Sequence, residues 1–475
     1  MNPMSQPEHP DILRAIPPVD GVLGRPAIAT LRGEHPGLPW TRIVRDAVAQ
    51  FRSDPHAPEI AAQGRESVAG YIERAVQGRI RDLHAGGLVP VLNGTGVMLH
   101  TNLGRAVWGA AAVDAAQRAM SGYVSLEVDR TTGERSPRAT VLHDLLAVAT
   151  GAEAALAVNN NAAAVYLAVN SFCPPGRVLV SRGELVEIGG SFRLPEILRH
   201  ASPEVIEVGT TNRTYAADYR AAARAGDVLL KVHKSNYAIE GFSHEATIGE
   251  LVRVAHDTGA FVVYDLGSGA LFDFRSLGLG SDPTVGEIVS QDIDAVTMSA
   301  DKLLGGAQAG IIVGSARFLA GVRQNPLRRA VRVDKVTVAA LQSVLRTYLF
   351  GDAQNDVPLI SRVMEDVSRL ERRARRIVKS LGSDTRDVVV LSEPDDAVVG
   401  GGSLATEVVA GVAVVVRLTD PARAVAFART LRRATPPVFP RVRGCDVRVN
   451  LRAIFPGQDK ELARVLGSCL DGTLD

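Results

Sequence analysis

From Val89 to about Ala330 the chain alternates short β-branched runs with helical stretches, and this alternation limits the possible folds more than any other feature. Strand candidates are Ala155–Val158, Val178–Ser181, Val205–Val208, Val228–Val232, Phe261–Asp265, Val296–Ser299 and Gly310–Val313. Helical stretches such as Ala106–Met120 and Ile248–Asp257 lie between them. Apolar strands separated by helices are what right-handed βαβ units around a buried, mostly parallel sheet require. After Thr337 the order changes. Helical Val338–Leu349 and Leu359–Leu381 come first, then strand-like Asp387–Leu391, Val408–Leu418 and Asp446–Leu451, with a helix at Pro421–Arg433. This predicts a small α+β domain with a turn at Gly400-Gly401-Gly402.

A chain of 475 residues exceeds the roughly 250–300 residues one core usually serves, so several domains are expected. Pro3, Pro7, Pro10, Pro17 and Pro18 predict a loose start, followed by helices at Trp40–Phe51 and Glu66–Leu83. In the second, Val68, Ile72, Val76 and Ile80 recur every four residues, the spacing of one helical face. The division expected is a small helical N-terminal domain at 1–70, a helical linker at 71–88, a large domain at 89–336 and a small C-terminal domain at 337–475.

Lysine is scarce: of 53 basic residues only Lys231, Lys234, Lys302, Lys335, Lys379 and Lys460 are lysines. Lys302 follows the apolar run Ala295–Met298 and precedes Gly305-Gly306. A strand end fixes an amine, and glycines let the backbone pass close to a ring and its phosphate, as a pyridoxal phosphate (PLP) enzyme needs. A desolvated amine near positive charge loses its proton readily enough to form a Schiff base. The plain alternative is a surface lysine after a strand. Three segments argue against it. Asn159-Asn160-Asn161-Ala162 ends a strand and caps a helix of small residues, an anion site suited to the cofactor phosphate. Asp265 ends a buried strand before Gly267-Ser268-Gly269, where a carboxylate could keep the pyridine nitrogen protonated. Ser299, three residues before Lys302, could reach the same phosphate. Phosphate helix, pyridine Asp and Schiff-base Lys, in that order at the ends of different strands, is the arrangement of fold-type I PLP enzymes.

Other chemistries find no footing. No lysine follows a glycine, so no Walker phosphate loop exists, and Gly278 and Gly280 sit in no dinucleotide fingerprint. Cys173, Cys445 and Cys469 show no CxxC spacing and the ten histidines share no metal-ligand spacing, so no metal is expected. A net charge of +1 gives no global attraction to nucleic acid or acidic membranes. Val408–Val416 is about half the length of a membrane helix, and the N-terminus has no signal-peptide core, so a cytoplasmic protein with no membrane partner is expected.

Several stretches resemble the bacterial L-seryl-tRNA(Sec) selenium transferase family: Val91–Gly96 with His100–Arg105, Asn159–Ala164, Ser181–Gly190, Gly209–Thr214, Lys231–Tyr237, Asp301–Gly306 and Asn325–Lys335. The resemblance is dense from about 90 to 340 and weaker at both ends. It implies a PLP-dependent transferase of fold type I. The reaction implied converts L-seryl-tRNA(Sec) to L-selenocysteinyl-tRNA(Sec), with β-elimination to an aminoacrylyl group and selenium addition from selenophosphate. Lys302 would move the α-proton. Asp301 would assist or play a purely structural part. Arg105, Arg329 and Arg332 would form the selenophosphate pocket, since guanidinium forks grip compact anions and never lose their charge. Arg329 and Arg332, three apart, are expected on one helical turn. The N-terminal domain would contact tRNA, and the chain would assemble as a homo-oligomer, a decameric ring of dimers. Two departures stand out: Ala307 replaces the family's usual proline, and the region Val399–Glu407 is shorter. The alternatives are a related lyase acting on a small amino acid or amino sugar with no RNA partner, and an inactive PLP-fold RNA-binding or assembly protein.

Overall fold

The computed structural model describes residues 10–85, 87–188, 192–234, 239, 241–382, 387–404 and 407–472. Pro3 and Pro7 of the expected loose start, Gly189-Gly190, Ser235–Tyr237 and two residues of the short region Val399–Glu407 lie outside the described residues. The chain divides into two compact units, Met1–Pro90 and Val91–Asp475.

Among its described residues the first unit has only helices for regular structure. Helix Arg65–Ala85 buries Val68, Ile72, Val76 and Ile80 against Val22, Ile28, Trp40, Val44 and Phe51. The stretch expected as a linker at 71–88 is therefore largely the closing helix of this unit. Its four-residue apolar spacing is a core face, and the boundary drawn at residue 70 falls inside one continuous helix. Arg25 ties the helix down through Glu66, at 2.7 Å, and Glu73.

The second unit is built on a seven-stranded sheet. In chain order its strands are β1 (Ala154–Val158), β2 (Val178–Ser181), β3 (Val205–Val208), β4 (Val228–Val232), β5 (Phe261–Gly267), β6 (Ala295–Ser299) and β7 (Gly310–Gly314). In space the order is β1-β7-β6-β5-β4-β2-β3. All neighbours are parallel except β7, which runs antiparallel to both β1 and β6. Alternate residues feed two cores, Ala155 and Ala157 packing on one face and Leu156 and Val158 on the other. Burial on both faces explains why the inner strands read as nearly unbroken apolar runs, while the edge strand β3 exposes Glu207.

Helix Lys335–Phe350, expected to open the small C-terminal domain, instead packs on helices Ala110–Met120 and Thr140–Thr150, and its Val338, Leu341 and Leu345 join the core shared with β5 and β6. The C-terminal part carries a second sheet in the spatial order Leu92–Gly94, Val438–Arg443, Asp446–Asn450, Val412–Leu418 and Val388–Pro394. Its first strand comes from the start of the region assigned to the large domain. The mostly parallel sheet with a small C-terminal α+β part is the fold-type I arrangement.

Candidate active site

The ends of β5 and β6 place Asp265 and Lys302 in the interior. Asp265 is the register partner of Thr297, and a bulge between Asp265 and Gly267 then breaks the pairing. Past Ser299 the chain leaves β6 in a tight turn, in which Gly305 N donates to Lys302 O at 2.9 Å and Gly306 N to Ala300 O at 2.8 Å. Gly305 has φ +74°, a conformation that suits glycine, and a Cβ on Gly306 would crowd Leu341 and Leu304. Ala307, where the resembling family has proline, is buried in the same core. Lys302 is 5 % exposed. Among the described residues nothing forms a hydrogen bond or ion pair with its amine. Burial holds that amine below the usual lysine range and the nearby Arg105 charge adds to the effect, while Asp265 and Asp301 pull the other way.

Asp265 is held from one side. Asn161 Nδ2 donates to its Oδ1 at 2.8 Å and Thr297 Oγ1 donates to the same oxygen at 2.9 Å. Its Oδ2 accepts nothing among the described residues. Burial raises the Asp265 carboxyl, against the Asn161 and Thr297 hydrogen bonds and the charges of Lys302 and His233.

Asn160 caps helix Asn161–Asn170, its Oδ1 accepting from Ala163 N at 2.9 Å. The first amides of the helix, those of Asn161 and Ala162, have no partner within it. Gly310 pairs with Val158 on one side and Ser299 on the other, and a Cβ there would overlap the Asn160 backbone carbonyl. The close approach brings buried Ser299 toward the helix start. The side-chain oxygen of Asn161, Oδ1, is buried with no partner.

Two residues in this cluster escaped the sequence reading. Thr297 shares a strand face with Ser299, and a hydroxyl inside an otherwise apolar run was the available signal. His233 N donates to Asp265 O at 2.9 Å, and its imidazole lies 3.4 Å from Tyr264 Oη and 3.1 Å from Asp282 Oδ2. The competing lysines are engaged: Lys231 Nζ lies 2.9 Å from Glu184 Oε1 and Lys234 pairs with Glu245.

Asp301 Oδ2 accepts from Arg105 Nη1 at 2.9 Å. Arg105 follows Gly104 and has φ +61°, an uncommon conformation for a side chain this large. It lines a cavity of about 190 Å3 with His100 and Arg362. Arg329 and Arg332 line a different cavity, of about 960 Å3, with Arg138, His143, Arg323 and Arg328. The three arginines expected in one pocket are therefore not brought together within one chain. Nor do the last two share a helical turn: Arg329 ends the short turn Pro326–Arg329, while Arg332 bridges to Val158 beyond it. In the larger cavity burial pushes His143 down to about 4, with the charges of Arg323 and Arg328 adding to the effect.

The family model for L-seryl-tRNA selenium transferase, SelA, matches residues 91–455. An L-seryl-tRNA(Sec) selenium transferase of Moorella thermoacetica is 40% identical over 98% of this chain and 99% of its own length. Those of Carboxydothermus hydrogenoformans and Rhizobium meliloti are 37% and 39% identical, over 97% and 93% of this chain and 98% and 95% of theirs. A solved D-glucosaminate-6-phosphate ammonia-lyase superposes with a TM-score of 0.57 at 17% identity, over 83% of this chain and 99% of that one, a likeness of fold alone. With matches of this extent the chain belongs to the L-seryl-tRNA selenium transferase family.

Proposed function

We propose that the protein converts L-seryl-tRNA(Sec) to L-selenocysteinyl-tRNA(Sec), with selenophosphate as selenium donor and pyridoxal 5′-phosphate as cofactor. The carrying observation is the buried pair of Lys302 and Asp265 on adjacent strand ends, in a chain of the selenium transferase family. The residues fit the cofactor. Asp265 keeps Oδ2 free for a ring N–H, Asn161 Oδ1 lacks a donor, and the small-residue helix start opposite Ser299 suits a phosphate. Asn160, Asn161, Ala162 and Ser299 would hold that phosphate, Asp265 the ring nitrogen and Lys302 the aldehyde carbon. When bound, PLP supplies a carbonyl that captures amines and a ring that takes up electron density.

The protein's own groups do the rest. Lys302, whose amine burial makes easier to deprotonate, takes the proton from the seryl Cα and returns it after hydroxide has left Cβ and selenium has bonded there, the selenium–phosphorus bond breaking as water takes the phosphoryl group to give phosphate. Asp301 orients Arg105 toward the donor anion. Arg329 and Arg332 act on the same anion when a second copy of the chain brings its larger cavity against Arg105, in keeping with a homo-oligomeric ring of dimers. Residues 1–70, with the rest of their helical unit, contact the tRNA. No helix among the described residues is long and apolar enough to cross a membrane. A cytoplasmic setting follows from the tRNA substrate.

The test supplies purified protein with seryl-tRNA(Sec) and radiolabelled selenophosphate. Label in the aminoacyl group, dependent on Lys302, is expected. Turnover of a free amino acid or amino sugar with no transfer to tRNA would mean the small-substrate lyase.

A further inference from the structure

Positive charge is unevenly spread over this chain. The formal net charge is +1, and residues 1–89 balance ten arginines with ten acids. In the C-terminal part, helices Val367–Leu381, Pro421–Arg433 and Asp459–Leu470 cover one face of the smaller sheet. Leu370 and Ile377, Ala428 and Leu431, and Leu462 and Val465 pack against Val414, Val416 and Val447. Their outer surfaces carry eleven exposed lysines and arginines against two acids with exposed side chains, Glu461 and Glu371, the latter paired with Arg375. Arg376, Lys379, Arg429, Arg432, Arg433 and Lys460 make no ion pair among the described residues.

A solvated helix face ordinarily mixes both signs. Here Arg372 with Arg376, Arg375 with Lys379, and Arg429 with Arg433 set like charges four residues apart, a spacing that weakens a helix. The excess works against stability, so its use lies outside the fold. On these helices Val425 is the single large apolar side chain exposed, which argues against an inserted membrane surface or a protein hot spot. Arginine outnumbers lysine, and its planar fork matches phosphate oxygens.

We propose that this helical layer is a docking surface for an RNA phosphate backbone. The proposal rests on the tRNA reading above. It gives the C-terminal part the sequence-independent attraction that a neutral N-terminal unit does not provide.

The test uses the full chain loaded with PLP and a fluorescein-labelled, unacylated selenocysteine tRNA transcript, titrated by anisotropy across a salt series. The variant combines Arg376→Gln, Lys379→Gln, Arg429→Gln, Arg432→Gln and Arg433→Gln, and a second variant changes the four arginines to lysine. The glutamine variant should bind at least roughly ten-fold more weakly near 0.1 M salt, with a slope of log K against log salt smaller by about one for each phosphate no longer engaged. The lysine variant, which keeps the charge but loses the fork, should keep the parent's salt slope and bind more tightly than the glutamine variant, and cofactor absorbance should not change in either. Unchanged affinity and slope in the glutamine variant would overturn the proposal, as would loss of binding to phosphatidylserine vesicles with RNA binding intact. If the parent itself fails to bind the transcript, the selenocysteine-tRNA reading falls and takes this surface with it.

Discussion

Arg105 Nη1 donates to Asp301 Oδ2 at 2.9 Å, one residue before Lys302 in the chain. The hydrogen bond joins an arginine in left-handed backbone to the turn that carries the buried Lys302 amine, and Ala106 N reinforces it by donating to Asp301 O at 3.3 Å. Asp301 thus holds Arg105 in place, and the Arg105 charge adds to the burial that lowers the Lys302 amine below the usual lysine range.

Replacing Arg105 should act on binding and titration together. Arg105→Gln should raise the selenophosphate KM at least roughly ten-fold, the loss expected of a charge-assisted hydrogen bond worth about 1.5–3 kcal/mol. It also removes a positive neighbour from Lys302, so the amine becomes more basic. In cofactor-free protein, labelling of Lys302 by an amine reagent should then need higher pH than in the parent. A labelling profile that does not move would show that Arg105 has no hold on the amine.

Asp265→Asn should keep the cofactor bound through its phosphate while turnover falls at least roughly a hundred-fold, because a neutral amide cannot hold the ring nitrogen protonated. Thr297→Val keeps the shape and removes one donor to Oδ1, with a smaller effect of about 1 kcal/mol. Absorbance and equilibrium dialysis read both variants. Normal turnover by Asp265→Asn would make the carboxylate structural.

Gly310→Ala probes the phosphate cradle without touching a charged group. The added methyl overlaps the Asn160 backbone carbonyl and displaces the helix start, an overpacking strain of about 1–3 kcal/mol. Dissociation of PLP should rise by about ten-fold, while Gly314→Ala, far from Asn160 on the same strand, should change cofactor affinity little. Equal losses at both positions would point to general damage to β7.

His143 sets an acid limit on stability. Its folded pKa, about 4, lies below the usual 6.5, so the unfolded chain binds the proton more tightly. The contribution is fully present above about pH 6.5 and is lost as pH falls toward 4. Between pH 7 and pH 5 the loss is about 2 kcal/mol, read by urea unfolding. His143→Gln should flatten that dependence, and an unchanged acid limb would place it on other groups.

Much of the large sheet was legible because strands that line a buried sheet are rich in β-branched apolar residues, even where an edge strand exposes Glu207. Val178–Ser181, Val205–Val208 and Val228–Val232 stand where their β-branched runs predict. Two strands of the smaller sheet escaped. Leu92–Gly94 is short and ends in an Asn-Gly pair that reads as a turn, and Val438–Arg443 follows Pro436-Pro437 and contains Pro440. The expected single helix Leu359–Leu381 is broken at Glu365-Asp366. Asp366 caps the second piece through Ser368 N at 2.6 Å, and buried Glu365 meets Arg362 at 2.6 Å and Arg373 at 3.3 Å. The Asp366 cap is a local signal, and it is the apolar periodicity, continuous across 359–381, that hides the break. For the arginines, sequence spacing put Arg329 beside Arg332 but carried no information on which cavity Arg105 would face.

The most direct test reduces the PLP-loaded protein with borohydride and maps the pyridoxyl group by peptide mass spectrometry. The expected result is label on Lys302 alone, with none in Lys302→Ala. Label on Lys231 or Lys234, or none in the native chain, would contradict the active site described here.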